Sequence, residues 1–275
     1  MTKLPVPFSF SQSSLQDYAD CPRRFQLRYI ERLEWPAVDS EPIAENERRQ
    51  IEGQIFHRLV QQYFLGIPSD ILTRTAGTTN LERWWANFSS NLSGLGDLQG
   101  FDIYPELTLS APIGNHRLTA KYDLVAVRGD KALIYDWKTY AKRPRDEWMS
   151  ARWQTRVYRS LLVQAGSHLQ AGKSIEPAQV EMIYWYADFP SESTRLKYDA
   201  DQYQRDWSAV EKVVVEVADA ADFPLTEDEK LCRFCVYRSY CNRGTQAGQL
   251  GEVEAEAESE TGFDVNFEQI SEIEF

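Results

Sequence analysis

Three runs of β-type composition, Phe101 to Leu109, His116 to Val127 and Lys131 to Trp137, are separated only by short turn signals. Those signals are Ile113-Gly114-Asn115-His116 and Arg128-Gly129-Asp130-Lys131. Glycine beside Asn or Asp between two such runs is the mark of a tight hairpin. The three runs therefore form a meander. A further strand is expected at Val180 to Ala187 (Val-Glu-Met-Ile-Tyr-Trp-Tyr-Ala). Helical patterns surround these strands, at Glu45 to Phe64, Leu81 to Leu92, Pro144 to Ala165 and Ala200 to Ala221. This order of elements predicts an α/β fold with one mixed sheet flanked by helices.

The N-terminal stretch Ser11-Gln12-Ser13-Ser14 reads as a helix start, with Gln16 three residues after Ser13 in capping-box spacing. The apolar pattern continues past Cys21-Pro22 to about Leu33. Residues 35–42 and Pro68 to Thr79 read as loop and turn. Trp84, Trp85, Trp148 and Trp153 fit core packing by their helical spacing, with stacking on unpaired bases as the alternative. His116 and His168 read as surface residues.

The net charge of −12 is unevenly spread. After Arg243 no Lys or Arg occurs, and nine acids fall between Glu252 and Glu274. Residues 1–243 are close to neutral. They carry basic clusters at Arg23-Arg24 with Arg28, Arg48-Arg49, and Lys142-Arg143 with Arg145. Such a body can hold a phosphate backbone. The reading is one domain over residues 1–243, then an acidic tail over 244–275 expected to be disordered. The tail is either a solubilising appendage or a segment that docks on a basic groove. No signal-peptide pattern opens the chain, and no apolar stretch approaches the roughly 20 residues of a spanning helix. A cytoplasmic location without membrane contact is expected. Four cysteines in a reducing compartment read as metal ligands.

Asp123 lies on the second strand of the meander, and Asp136 with Lys138 on the third. Neighbouring strands can bring both acids to one hard cation such as Mg²⁺ or Mn²⁺. Lys138 lies two residues beyond Asp136 and so shares its face. There an ammonium can polarise an attacking water or stabilise charge building on a phosphate. Cys232-x-x-Cys235 and Cys241 form a tight arc, and Cys21 is the only cysteine left to complete it. Four thiolates suit Zn²⁺ or an iron–sulfur cluster.

The ordered set Gly53-x-x-x-His57, Pro105-Glu106, Asp123, Asp136-Trp137-Lys138-Thr139 and Gln154-x-x-x-Tyr158 resembles the RecB-type branch of the PD-(D/E)XK nuclease superfamily. The match spans roughly residues 13 to 243. One departure is Ala120, where the family often has Gly three residues before the first Asp. The resemblance implies that His57, Asp123, Asp136 and the backbone carbonyl of Trp137 hold the metal. It makes Lys138 the catalytic lysine, and Gln154 and Tyr158 the pair that positions DNA. Glu106 would orient His57 or a water. The one-plus-three cysteines resemble the iron–sulfur-containing branch, which includes CRISPR-associated spacer-acquisition nucleases and the nuclease part of AddB. That implies a [4Fe–4S] cluster on Cys21, Cys232, Cys235 and Cys241, with Zn²⁺ as the alternative occupant. The implied activity is metal-dependent DNA hydrolysis, exonucleolytic on single-stranded or end-opened DNA, in repair, recombination or defence, with a helicase or integrase as partner. The alternative is a non-catalytic iron–sulfur DNA-binding subunit of a helicase-nuclease or CRISPR adaptation complex.

Overall fold

The computed structural model describes residues 3–33, 43–96, 98–232 and 235–244. The loop expected at 35–42 and the acidic tail from 245 onward lie outside the described residues. In chain order the elements are β1 (Ser9–Phe10), α1 (Gln12–Asp20), α2 (Pro22–Phe25), a π-helical turn at Gln26–Ile30, α3 (Ile43–Phe64), α4 (Ser69–Thr75) and α5 (Thr79–Ser90). The meander follows as β2 (Asp102–Ile113), β3 (His116–Arg128) and β4 (Lys131–Lys138). Then come α6 (Asp146–Ala151), α7 (Trp153–Ala165), β5 (Val180–Tyr186), β6 (Phe189–Lys197), α8 (Ala200–Asp219) and α9 (Glu229–Cys232).

Both hairpins close with two-residue loops that place Gly first, at Gly114 (φ 55°) and Gly129 (φ 55°). Glycine enters this left-handed region without a Cβ penalty. The six-stranded sheet is mixed. β3 pairs antiparallel with β2 along its length, and on its other edge parallel with β1 and antiparallel with β4. β4 pairs parallel with β5, and β5 antiparallel with β6. The β4–β5 crossover runs through α6 and α7, as parallel neighbours require.

Each face of the sheet has its own core. On one side α1, α7 and α8 cover Phe10, Leu118, Tyr122, Ile134 and Tyr184. On the other, α3, α4 and α5 bring Phe56, Trp84, Trp85 and Phe88 against Tyr135, Trp137 and Trp185. Trp84 and Trp85 are thus core residues, as their spacing predicted. An ion pair joins α7 to α8 within the first core. Arg159 meets Asp206 at 3.1 Å, both almost fully buried, with the guanidinium over the Tyr198 ring.

Several expectations are corrected. The capping box pairs Ser11 with Ser14 rather than Ser13 with Gln16, whose amide instead bonds Asp20 one turn on. Residues 68–79 contain α4, which buries Leu72 against the aromatic core. The helix expected from Pro144 to Ala165 is two helices, broken at Arg152 by an extended ψ of 149°. β6 was not expected, because its alternation is masked by polar residues on an edge strand. His116 is buried, since its Nδ1 accepts the Phe8 N–H at 3.1 Å and its ring meets Phe10 edge-on. No helix among the described residues is long and apolar enough to cross a membrane.

Removing one partner of a buried ion pair strands the other charge. Asp206→Ala is therefore expected to destabilise the fold by about 3–5 kcal/mol, measured by chemical denaturation.

Candidate active site

The β3–β4 ladder runs from Arg128↔Lys131 to Leu124↔Tyr135 and stops there. The next facing residues are Asp123 and Asp136. Instead of pairing, the strands part, and the Asp123 carboxylate accepts the freed Trp137 N–H at 2.8 Å. β4 continues alone beside β5, where Asp136 and Lys138 lie level with Tyr184 and Tyr186. The cleft between the parted strands is where the candidate residues gather.

Side-chain alternation inverts at the same place. In β3, Leu118, Ala120 and Tyr122 lie in the first core, but the next residue there is Val125. In β2, Tyr104 packs on that core and is followed by Leu107. Each strand thus inserts one extra residue, Asp123 and Glu106, without changing the pairing register. Glu106 takes a left-handed φ of 54°, a strained conformation for a residue with a Cβ. The double slip turns both acids into the cleft.

Glu106, Asp123 and His57 are the one group of three or more candidate ligands, among the described residues, whose ligand atoms lie within 4.8 Å of one another. His57, on α3, sits with Nδ1 3.1 Å from Asp123 Oδ1. Burial works to lower the His57 pKa, yet the Asp123 carboxylate outweighs it and the pKa is raised. Burial likewise works to raise the Asp123 pKa, but His57, the Trp137 N–H and Lys138 bring it below the ordinary value. Glu106 also pairs with the exposed Lys121.

Asp136, Lys138 and Gln154 close a buried triangle beside this group. Lys138 Nζ lies 2.9 Å from Asp136 Oδ2 and donates to Gln154 Oε1 at 3.0 Å. Gln154 Nε2 donates to Asp136 Oδ1 at 2.8 Å. Tyr158 shares the α7 face with Gln154, but it is buried and its hydroxyl donates to the Lys121 carbonyl at 2.7 Å. Its contact is thus with the strand that carries Asp123.

Tyr184 and Arg49 take roles at the site that sequence reasoning did not assign, and Gly53 of the Gly53-x-x-x-His57 motif gains a packing reason. Tyr184 bonds Thr155 and, more weakly, Gln154, and is level with Asp136 only because β5 adds in parallel register. Burial, then the Asp136 charge, pushes its pKa up. Arg49 of α3 donates twice to the Thr139 carbonyl and pairs with Asp188, tying the helix of His57 to the end of β4. Gly53, one turn before His57, sits where a Cβ would come within 3.0 Å of Thr139 Oγ1.

Cys21, Cys232, Cys235 and Cys241 line one cavity, together with Arg24 and Arg238. No three of their sulfurs lie within 4.8 Å of one another. Burial first, then the neighbouring sulfurs, raises the pKa of Cys232 and Cys241. Burial pushes Cys235 up to about 11. The segments that carry Cys21 and the other three cysteines meet through Tyr237 Oη donating to the Leu33 carbonyl and Arg23 N donating to that of Pro224.

A family model described as "PD-(D/E)XK nuclease superfamily" matches residues 9–242. No curated protein matches the chain. Similar solved structures include SSO0001, at 10% identity and a TM-score of 0.40 over 86% of this chain and 87% of that one. Another, described as a "Putative exonuclease" from Eubacterium rectale, has 12% identity and a TM-score of 0.50 over 90% and 93% of the two chains. This second likeness is one of fold.

Gly53→Ala gains about 1 kcal/mol in helix propensity but sets a Cβ against Thr139. The expected result is a melting temperature within a few degrees of wild type, with Mn²⁺ affinity lowered about tenfold in calorimetric titration.

Proposed function

We propose that this chain, which belongs to the PD-(D/E)XK nuclease superfamily, is a divalent-metal-dependent DNA exonuclease acting on single-stranded or end-opened DNA. Membership of the family implies phosphodiester hydrolysis. The metal-dependent part of the reading is carried by one observation: β3 and β4 part at Asp123 and Asp136, with Lys138 held 2.9 Å from Asp136.

The donor set fits Mg²⁺ or Mn²⁺. Carboxylates and one imidazole converge, and hard cations favour oxygen ligands. His57, Asp123, Asp136 and the Trp137 carbonyl would hold the ion, with Glu106 completing the set or orienting a water. The ion would supply the Lewis acidity that activates water and neutralises phosphate charge. Lys138 places an ammonium where charge builds on the phosphate. Gln154 fixes both Lys138 and Asp136, so the lysine is oriented before substrate arrives. Tyr158, through the Lys121 carbonyl, sets the strand from which Asp123 and Lys121 project. The preference for ends follows the family resemblance, as does a helicase or integrase partner.

The [4Fe–4S] reading over zinc follows the resemblance carried by the one-plus-three cysteine spacing. Cys21, Cys232, Cys235 and Cys241 line one cavity with Arg24 and Arg238, which would face the negative charge of a thiolate-bound cluster. Its role would be to brace the fold by tying residues about 220 apart.

Asp136→Asn keeps the side-chain volume and is expected to abolish Mn²⁺-dependent cutting of end-labelled single-stranded DNA. Lys138→Ala should slow it by about 10²–10³-fold. Full cutting by either variant, or cutting by wild type in excess chelator, would refute the assignment. Protein purified without oxygen should be brown, and Cys21→Ala should lose that absorbance. A colourless wild type carrying one zinc would overturn the cluster.

A further inference from the structure

Outward from Lys138, cationic and aromatic side chains alternate. The Lys138 ammonium lies 5.6 Å from the centre of the Tyr140 ring. The Tyr140 hydroxyl accepts from Arg152 Nη1 at 3.4 Å. The Arg152 guanidinium in turn lies 4.5 Å over the Trp148 indole. Arg156 repeats the motif over Trp153, at 5.4 Å. The whole series sits at the elbow where α6 stops and α7 begins, one turn from Gln154.

The elbow exists because Arg152 leaves helical geometry, with φ −64° and ψ 149°. A continuous helix would carry Trp148 and Arg152 one turn apart on one face, with no change of direction between them. The break buries Arg152 against Tyr140 while Tyr140, Trp148 and Trp153 stay partly exposed. Core packing accounts for the buried edge of each indole. It does not account for a guanidinium on each, or for the continuity with Lys138.

We propose that Tyr140 and Trp148, braced from beneath by the buried Arg152 and Lys138, form a binding track for single-stranded DNA leading to Lys138, with bases stacked on the exposed faces of the rings. Rings backed by positive charges suit an unpaired strand, whose bases expose their faces. Duplex DNA hides those faces in its stack, so the track selects single strands. The inference rests on the nuclease reading for its direction toward Lys138, and on the elbow for its chemistry.

The test is binding of fluorescent oligo(dT) by anisotropy, with Asp136→Asn so that no substrate is consumed. Each oligonucleotide is compared with one in which successive bases are replaced by abasic sites. Trp148→Leu should weaken oligo(dT) binding by about 5- to 150-fold, the range for losing one stacked base. It should bind the abasic strand, at the best-matching position, no worse than the parent does. That non-additivity separates stacking from a structural role, which would weaken both strands equally. Tyr140→Leu should behave likewise at a different abasic position. Equal losses on both strands, or unchanged oligo(dT) binding with an unchanged melting temperature, would overturn the track. Tight, base-dependent binding in a wild type that cannot cut would keep the track and remove the catalytic reading. Cutting by a wild type whose Trp148→Leu variant binds normally would do the reverse.

Discussion

The site depends on one hydrogen bond that replaces a strand pair. Where β3 and β4 part, the Trp137 N–H would be left unpaired inside the protein, at a cost of roughly 1–3 kcal/mol. The Asp123 carboxylate takes it at 2.8 Å. The same carboxylate faces His57 through its other oxygen. A structural repair of the sheet thus orients an acid toward the cleft. The slips at Glu106 and Asp123 serve the same opening, since they let two strands keep register while their facing residues turn out of the core.

The two cores hold the cleft from opposite sides. On the aromatic side Trp137 and Trp185 anchor β4 and β5 under α3 and α5. Asp188 extends that anchorage, accepting from Arg49, Arg83 and the Trp84 indole N–H. Arg49 also grips the Thr139 carbonyl, so the helix that carries His57 is fastened to the strand that carries Asp136 and Lys138. On the other side α7 supplies Gln154 to the buried triangle while Arg159 binds it to α8. Rigid elements, rather than loops, carry the candidate groups.

Much of this was legible in the chain. Gly-Asn and Gly-Asp turns between β-type runs marked the meander, and the spacing of Asp123, Asp136 and Lys138 marked its chemistry. Trp84 and Trp85 were readable as core because helical period and bulk point the same way. The break at Arg152 was not readable, because the residues on both sides suit a helix and the contact of Arg152 with Tyr140 comes from outside both helices. His116 was misjudged as a surface residue for a similar reason: its partner, the Phe8 N–H, is 108 residues away.

By itself the sequence determined local geometry: where strands turn, which faces are apolar, and which acids and lysine lie near one strand end. Those properties depend on neighbours a few residues apart. Only the tertiary structure decided that Glu106 and Asp123 sit in paired slips, that Gln154 bridges Asp136 and Lys138, and that Tyr158 turns inward to the Lys121 carbonyl. Each of these is set by which strand lies beside which and at what register. A one-residue slip turns a side chain to the opposite face, and what favours it is the pairing with strands distant in sequence, so no local pattern can fix it.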